Sequence, residues 1–158
     1  MCGVAGAGKT TYAQGLEAKG YVRLSIDEVI WERFGRYGVD YDVERYDEYT
    51  ALAEAALRAR MLELVRAGSD VVVDRSFWRR AARDEYRQLL ADAGARAELV
   101  YLKVDREQLR ERLAVRAARF DANAAFPITD EILDRFLAGF EEPQSEGETV
   151  IRKSPHFG

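Results

Sequence analysis

The chain has 158 residues, 47% apolar and 33% charged, with a net charge of −4. That suffices for one globular domain with a real core. The acid balance argues against a general nucleic-acid binder, and no apolar run reaches the roughly 20 residues of a membrane helix. The only cysteine, Cys2, excludes an internal disulfide. A reducing cytoplasm fits, and no Cys/His cluster suggests zinc.

Taken in chain order, the first signal is Gly3-Val4-Ala5-Gly6-Ala7-Gly8-Lys9-Thr10, the pattern G-x-x-x-x-G-K-[ST] of a P-loop. Glycines let the backbone curl around phosphate oxygens without Cβ clashes. The amides opening the next helix point at the anion, and the helix dipole favours it there. Lys9 can reach the β- and γ-phosphates, and the Thr10 hydroxyl can ligate Mg²⁺. Gly3, Ala5, Gly6, Ala7, Gly8, Lys9, Thr10 and Thr11 are the expected nucleotide-binding set. A P-loop normally follows an apolar strand in the middle of a parallel sheet. Only Met1 and Cys2 precede Gly3, so the first strand is expected to be truncated here and completed by upstream residues.

The P-loop helix is expected to run to about Lys19-Gly20. Tyr21 to Ser25 alternates as a strand, and Ser25-Ile26-Asp27-Glu28 is a capping box opening a short helix over 28–34. A loop rich in tyrosine and carboxylate follows, from Gly35 to Asp42. The next helix covers 43–66, with Tyr49, Ala53, Leu57, Met61 and Leu64 as its apolar stripe. Val71-Val72-Val73 is a buried strand closed by Asp74, followed by a polar helix over 79–93. Leu99 to Val104 forms another strand. Asp105 is positioned to cap a helix that runs to about Phe120, with Leu109, Leu113 and Phe120 on its core face. Asp121 to Pro127 is a loop, Thr129 caps a last helix to about Phe140, and Glu148 to Ile151 is a final strand. His156 sits in the tail with no motif around it. Strands alternating with helices give a parallel sheet covered by helices. Ligands in such sheets sit beyond the carboxyl ends of the strands, where the P-loop, Asp27, Asp74 and Asp105 all fall.

Phosphoryl transfer needs a phosphate cradle, a metal, cations for the transferring charge and a group that orients the nucleophile. Asp74 ends an apolar strand in the Walker B manner and is the expected Mg²⁺ residue with Thr10. Asp27, past the neighbouring strand, is the expected base. Asp105 reads as a helix cap. Arg112, Arg116 and Arg119 are spaced to share one helix face and lead into a loop, which suits a helical lid over phosphates around 112–128. The catalytic set is therefore Asp27, Lys9 and Arg116. Phe77 and Trp78, and likewise Tyr37, Tyr41 and Tyr46, have the chemistry to line an acceptor pocket or to pack the core. Leu102 stands where a guanine-reading signal ending in Lys103-Val104-Asp105 needs Asn or Thr, which favours ATP over GTP.

The segments Gly3 to Thr11, Ser25 to Glu28, Val73 to Trp78, Arg112 to Arg119 and Phe140 to Pro143 together resemble small P-loop kinases of the zeta-toxin and chloramphenicol-phosphotransferase type, AAA-like ATP-binding proteins. The resemblance implies a nucleoside-monophosphate-kinase-like core with a five-stranded parallel sheet. It also implies that the Asp27 position is the base toward a substrate hydroxyl and that lid arginines grip ATP. The expectation is one domain over 1–158, an ATP- and Mg²⁺-dependent kinase acting on a hydroxyl of a small molecule such as an antibiotic-like compound, a sugar or a nucleotide sugar. The alternatives are a polynucleotide 5′-hydroxyl kinase and a non-catalytic nucleotide-binding module. No protein partner and no membrane are called for.

Overall fold

The computed structural model describes residues 1–125 and 127–152. The expected tail with His156, and Phe126 inside the expected lid, lie outside these residues. Two parallel strand pairs form the sheet. β1 (Val22–Ser25) pairs with β2 (Val71–Asp74), with Ser25 opposite Asp74. β3 (Val100–Lys103) pairs with β4 (Thr149–Arg152). Met1 and Cys2 bridge the pairs. Met1 N donates to Val73 O at 3.2 Å, Cys2 N to Val100 O at 2.7 Å, and Leu102 N to Cys2 O at 2.9 Å. This two-residue stub takes the central place between β2 and β3, so the order across the sheet is β1, β2, stub, β3, β4.

Parallel neighbours need long crossovers, and here these carry helices. They are α1 (Lys9–Glu17), α2 (Ile26–Phe34), α3 (Tyr46–Arg66), α4 (Arg80–Asp92), α5 (Arg106–Arg116) and α6 (Asp130–Gly139). Successive strand residues point to opposite faces, and β3 shows the result. Tyr101 packs with Ile30, Leu57, Met61 and Phe77, and Leu102 packs with Val72, Leu109, Leu113 and Leu133. One core thus lies under α2, α3 and α4, and the other under α1, α5 and α6. Both faces are covered, the doubly wound α/β arrangement of P-loop proteins. No helix among the described residues is long and apolar enough to cross a membrane.

α3 buries the stripe expected of it, Tyr49, Ala53, Leu57, Met61 and Leu64. Leu57 and Met61 are almost wholly buried; each such side chain contributes about 1.5–3 kcal/mol by leaving water. Replacing Leu57 by alanine would open a cavity at a cost of about 2–5 kcal/mol. A 3₁₀ turn over Val43–Arg45 precedes α3, which therefore starts three residues later than expected. Ser25 and Thr129 cap as anticipated, accepting from the amides of Glu28 (3.4 Å) and Ile132 (3.3 Å).

Two expectations need correction. Asp105 occupies the cap position of α5, but its side chain makes no capping hydrogen bond. α5 stops at Arg116 instead of about Phe120, its last turn closed by Ala117 N to Leu113 O. Phe120 therefore leaves the core face and is 75% exposed. Its ring meets Trp31 edge-on at 5.6 Å, with the Arg36 guanidinium 5.2 Å over its centre.

Candidate active site

The phosphate cradle is built from backbone. Gly3, Gly6 and Gly8 all have positive φ, a region that L side chains avoid. A Cβ on Gly3 would also lie 2.8 Å from Leu102 O, so the loop is drawn against β3 too closely for any side chain. Gly8, in the left-handed conformation, caps α1, and the first bond into the helix is Tyr12 N to Gly8 O at 3.1 Å. The amides of Lys9, Thr10 and Thr11 thus have no intrahelical acceptor. The first turn of α1 holds no acidic residue. Geometry and charge both suit an anion there.

Lys9 lies across this loop, its Nζ donating to Val4 O at 2.9 Å. Burial pulls its pKa down to about 8, with Asp74 and Asp27 opposing the shift and Arg116 adding to it. Lys9 is therefore within electrostatic reach of Asp27, Asp74 and Arg116. Burial also pushes the Asp27 carboxyl above the usual carboxylate range, against the pull of Arg116 and Lys9 and with reinforcement from Asp74. Burial lowers Arg116, and Asp27 and Asp121 partly restore it. These four residues come from α1, α2, β2 and α5. The fold brings them together at the carboxyl end of the sheet.

Asp74 has a partner that the sequence did not suggest. Arg23 on β1 donates to Asp74 Oδ2 at 3.1 Å, with the two side chains 8% and 4% exposed. Arg23 also pairs with Glu28 in the first turn of α2 and with Glu17 on α1 at 3.4 Å. Arg23 and Ser25 share one face of β1, and Ser25 stands opposite Asp74. An arginine between Val22 and Leu24 in β1 was the available signal. The donors present for Mg²⁺ are the Thr10 hydroxyl and the Asp74 carboxylate. Both are hard oxygens of the kind Mg²⁺ takes beside substrate phosphates and water. The chemistry fits, with the Asp74 carboxylate shared with Arg23. Among the described residues no cluster of three or more His, Cys, Asp or Glu could hold a metal by itself.

Beyond Asp27 lies a narrow pocket. Trp31, Tyr37, Tyr41 and Tyr46 wall it, and Asp27 and Arg116 are the charged residues in its lining. Three of these rings come from the tyrosine-rich loop and the start of α3. The loop is folded back by Asp40, which accepts from Arg36 N at 2.8 Å and Arg36 Nε at 2.9 Å. Gly35 at the end of α2 makes this possible. Its φ is +86°, and a Cβ there would lie 2.6 Å from the Asp40 side chain. Burial, reinforced by Asp27, raises the Tyr46 hydroxyl to about 12. Phe77 and Trp78 go elsewhere. Phe77 is buried against Tyr86, and Trp78 packs near Phe136. Trp31, walling the pocket from α2, was not anticipated.

The three arginines divide. Arg112 and Arg116 are half-buried on α5, four residues apart. Arg119 lies past the helix end, exposed and paired with Asp121 at 2.8 Å. The expected face of three arginines is thus a face of two, because the helix that would have carried the third has ended.

Residues 1–143 match the family described as AAA domain. The chain belongs to that family. No curated protein matches the sequence. Among solved structures, the chain is similar to a sugar kinase from Janibacter sp. HTCC2649, with 20% identity and a TM-score of 0.63, covering 96% of this chain and 82% of that one. A gluconokinase from Sinorhizobium meliloti 1021 superposes with a TM-score of 0.60 at 22% identity, covering 96% and 79%. Chaetomium thermophilum Kti12, in complex with ADP-AlF3, superposes with a TM-score of 0.61 at 16% identity, covering 96% and 86%. The fold is that of P-loop kinases.

Proposed function

We propose that this AAA-domain protein is an ATP- and Mg²⁺-dependent kinase that transfers the γ-phosphoryl group to a hydroxyl of a small molecule. The observation that carries the reading is the convergence of Lys9, Asp27 and Arg116 beside the P-loop, with an aromatic pocket opening at Asp27. A nucleotide-binding module has no need of a half-buried carboxylate between the phosphate cradle and a second pocket. A kinase does.

In this reading the amides of the loop and of Lys9 to Thr11 hold the ATP phosphates. Lys9, once its ammonium leaves Val4 O, and Arg116 face the charge that develops during transfer. Arg112 lies one turn before Arg116 on the same helix face and completes the cationic wall. Asp27 accepts the proton of the acceptor hydroxyl as its oxygen bonds to the γ-phosphorus and ADP departs. The raised pKa of Asp27 makes it a stronger base than an ordinary aspartate. Thr10 and Asp74 would hold Mg²⁺, which supplies charge neutralisation on the phosphates. Arg119 stands at the margin of this set, engaged by Asp121. The chain acts as one domain, with residues 112–128 as its lid and the cytoplasm as its compartment. The likeness to a sugar kinase and a gluconokinase favours a sugar among the possible acceptors.

The test is an ATP-consumption screen against hydroxylated metabolites and antibiotics, with mass detection of the product. A product heavier by one phosphoryl group supports the reading. Phosphorylated oligonucleotide 5′ ends would instead identify a polynucleotide kinase, and nucleotide binding without turnover on any alcohol a non-catalytic module.

A further inference from the structure

We infer that Arg23 is a positioning residue for the cation site: its guanidinium holds the Asp74 carboxylate at the end of β2 and so sets how strongly a divalent cation supports nucleotide binding. The inference rests on the assignment of Asp74 to Mg²⁺ in the kinase reading. It can be tested with neither an acceptor nor turnover.

The placement comes first. β1 lies at the edge of the sheet and pairs with β2 alone among the described strands. The Arg23 side chain on this edge strand is nevertheless 8% exposed, and the Asp74 side chain it meets is 4% exposed. A guanidinium offers its donors in a rigid planar fork, and here each of the three nitrogens faces a different carboxylate. Nη1 donates to Asp74 Oδ2 at 3.1 Å, Nη2 to Glu28, and Nε to Glu17 Oε2 at 3.4 Å. The three partners stand on β2, α2 and α1. α1 also carries Lys9 and Thr10, α2 carries Asp27, and β2 ends in Asp74. One side chain thus ties together the elements that supply the proposed metal donors and the proposed base.

Energetics indicate what the tie is for. Taking a guanidinium and a carboxylate out of water costs about as much as their attraction returns, so a buried pair is weak evidence of a stabilising role. Its firm consequence is orientation. Arg23 is the only side chain bonded to Asp74 among the described residues, and it takes Oδ2. A carboxylate held by one oxygen keeps the other for a cation or for water bound to one. Without Arg23, Asp74 becomes a buried carboxylate with no donor, a state relieved by turning toward another donor. A carboxylate that turns away is lost to the metal. Removing a group that orients a metal ligand costs about 10–100-fold in metal affinity, and that is the scale expected of Arg23.

The experiment measures binding of AMP-PNP, a non-hydrolysable ATP analogue, by calorimetry in Mn²⁺ and again in EDTA. The ratio of the two affinities is the metal-dependent gain. Arg23→Met should cut this gain at least about tenfold, with the affinity in EDTA staying within a few-fold of the parent's. Asp74→Asn should cut it comparably. The double variant should lose no more than Asp74→Asn alone, because both changes act through one carboxylate. Arg23→Lys keeps the charge but not the fork, and should lose part of the gain. That variant carries the test should Arg23→Met not fold, and a gain equal to the parent's would then overturn the inference. Equal losses in Mn²⁺ and EDTA would make Arg23 structural only. An unchanged or larger gain in Arg23→Met would make it a counter-charge that opposes the metal, and additive losses in the double variant would separate it from Asp74. Each of these overturns the inference, as does a parent that gains nothing from Mn²⁺. A screen without turnover leaves the Arg23 result standing. Conversely, loss of the Arg23 inference leaves the kinase reading standing, since that reading is carried by Lys9, Asp27 and Arg116 and tested by product mass.

Discussion

The two halves of the site are made of different material. The phosphate half is backbone: three glycines at positive φ, free amides at the start of α1, and one lysine laid over the loop. The half proposed for the acceptor is side chain: four aromatic rings from α2, the following loop and α3, beside Asp27 and Arg116. Backbone geometry tolerates few residues, so the first half should fail steeply when changed. Side-chain walls can be resized, so the second half should shift in selectivity before activity is lost.

The largest effect should come from the phosphate half. Lys9→Ala is expected to lower turnover by about 10²–10³-fold, as for the loss of one preorganised charge stabiliser. The fold should stay intact, seen as an unchanged circular dichroism spectrum. Steady-state rates check this, and unchanged turnover would remove Lys9 from the chemistry.

The next effect lies outside both halves and is one of stability. Glu146 is gripped by Arg83 at 2.6 and 2.8 Å and by Arg87 at 3.0 Å, with its side chain 2% exposed. Arg83 and Arg87 hold the Glu146 carboxyl down to about 2 from its ordinary 4.5. The sign follows from the depressed folded pKa. The stabilisation is whole above pH 4.5 and is lost as pH falls toward 2. Glu146→Gln should cost about 3 kcal/mol at neutral pH, the range for breaking a buried pair. It should also flatten the acid limb of a stability-against-pH curve from chemical denaturation, while acceptor selectivity remains. A changed selectivity would tie this clasp to the site.

The third effect couples the halves. Asp27 must be unprotonated to take a proton, and its pKa is raised; Lys9 must be protonated to hold phosphate, and its pKa is lowered to about 8. The profile of kcat/KM against pH should therefore be a narrowed bell. Its acid limb should lie above the ordinary aspartate value and its alkaline limb near 8. A flat profile across the alkaline limb would detach Lys9 from it.

The smallest effects separate the arginines. Arg116→Ala should raise the KM for ATP and leave the melting temperature nearly unchanged. Arg119→Ala should do much less to KM, because Arg119 is exposed and held by Asp121. Its ion pair contributes about 0.5 kcal/mol to stability. Equal kinetic losses would place Arg119 in the phosphate half after all.

The contrast between the halves also explains what the sequence revealed. Gly3, Gly6 and Gly8 were legible because the backbone path, at positive φ, dictates residue type at fixed spacing. The α3 stripe was legible because burial repeats every turn. The Ser25 and Thr129 caps were legible from their local hydrogen bonds. The aromatic pocket was half visible. Three tyrosines stood out, but Trp31 joins them only through tertiary packing. The Arg23–Asp74 pair depends on which strands are neighbours, and that is a property of topology. The end of α5 was misread because Ala117 and Ala118 are good helix formers and no glycine or proline marks the stop. Arg119 and Phe120 were misplaced with it.

The central claim is that Asp27 joins the two halves as the base. Asp27→Asn keeps the shape of the side chain and removes its ability to accept the proton. ATP affinity and acceptor phosphorylation should be measured side by side on the variant and the parent, with an acceptor taken from the screen. The account predicts ATP binding within a few-fold of the parent and acceptor phosphorylation lost. A variant that still phosphorylates the acceptor at the parent's rate would contradict it and leave Asp27 a residue of the first turn of α2 only.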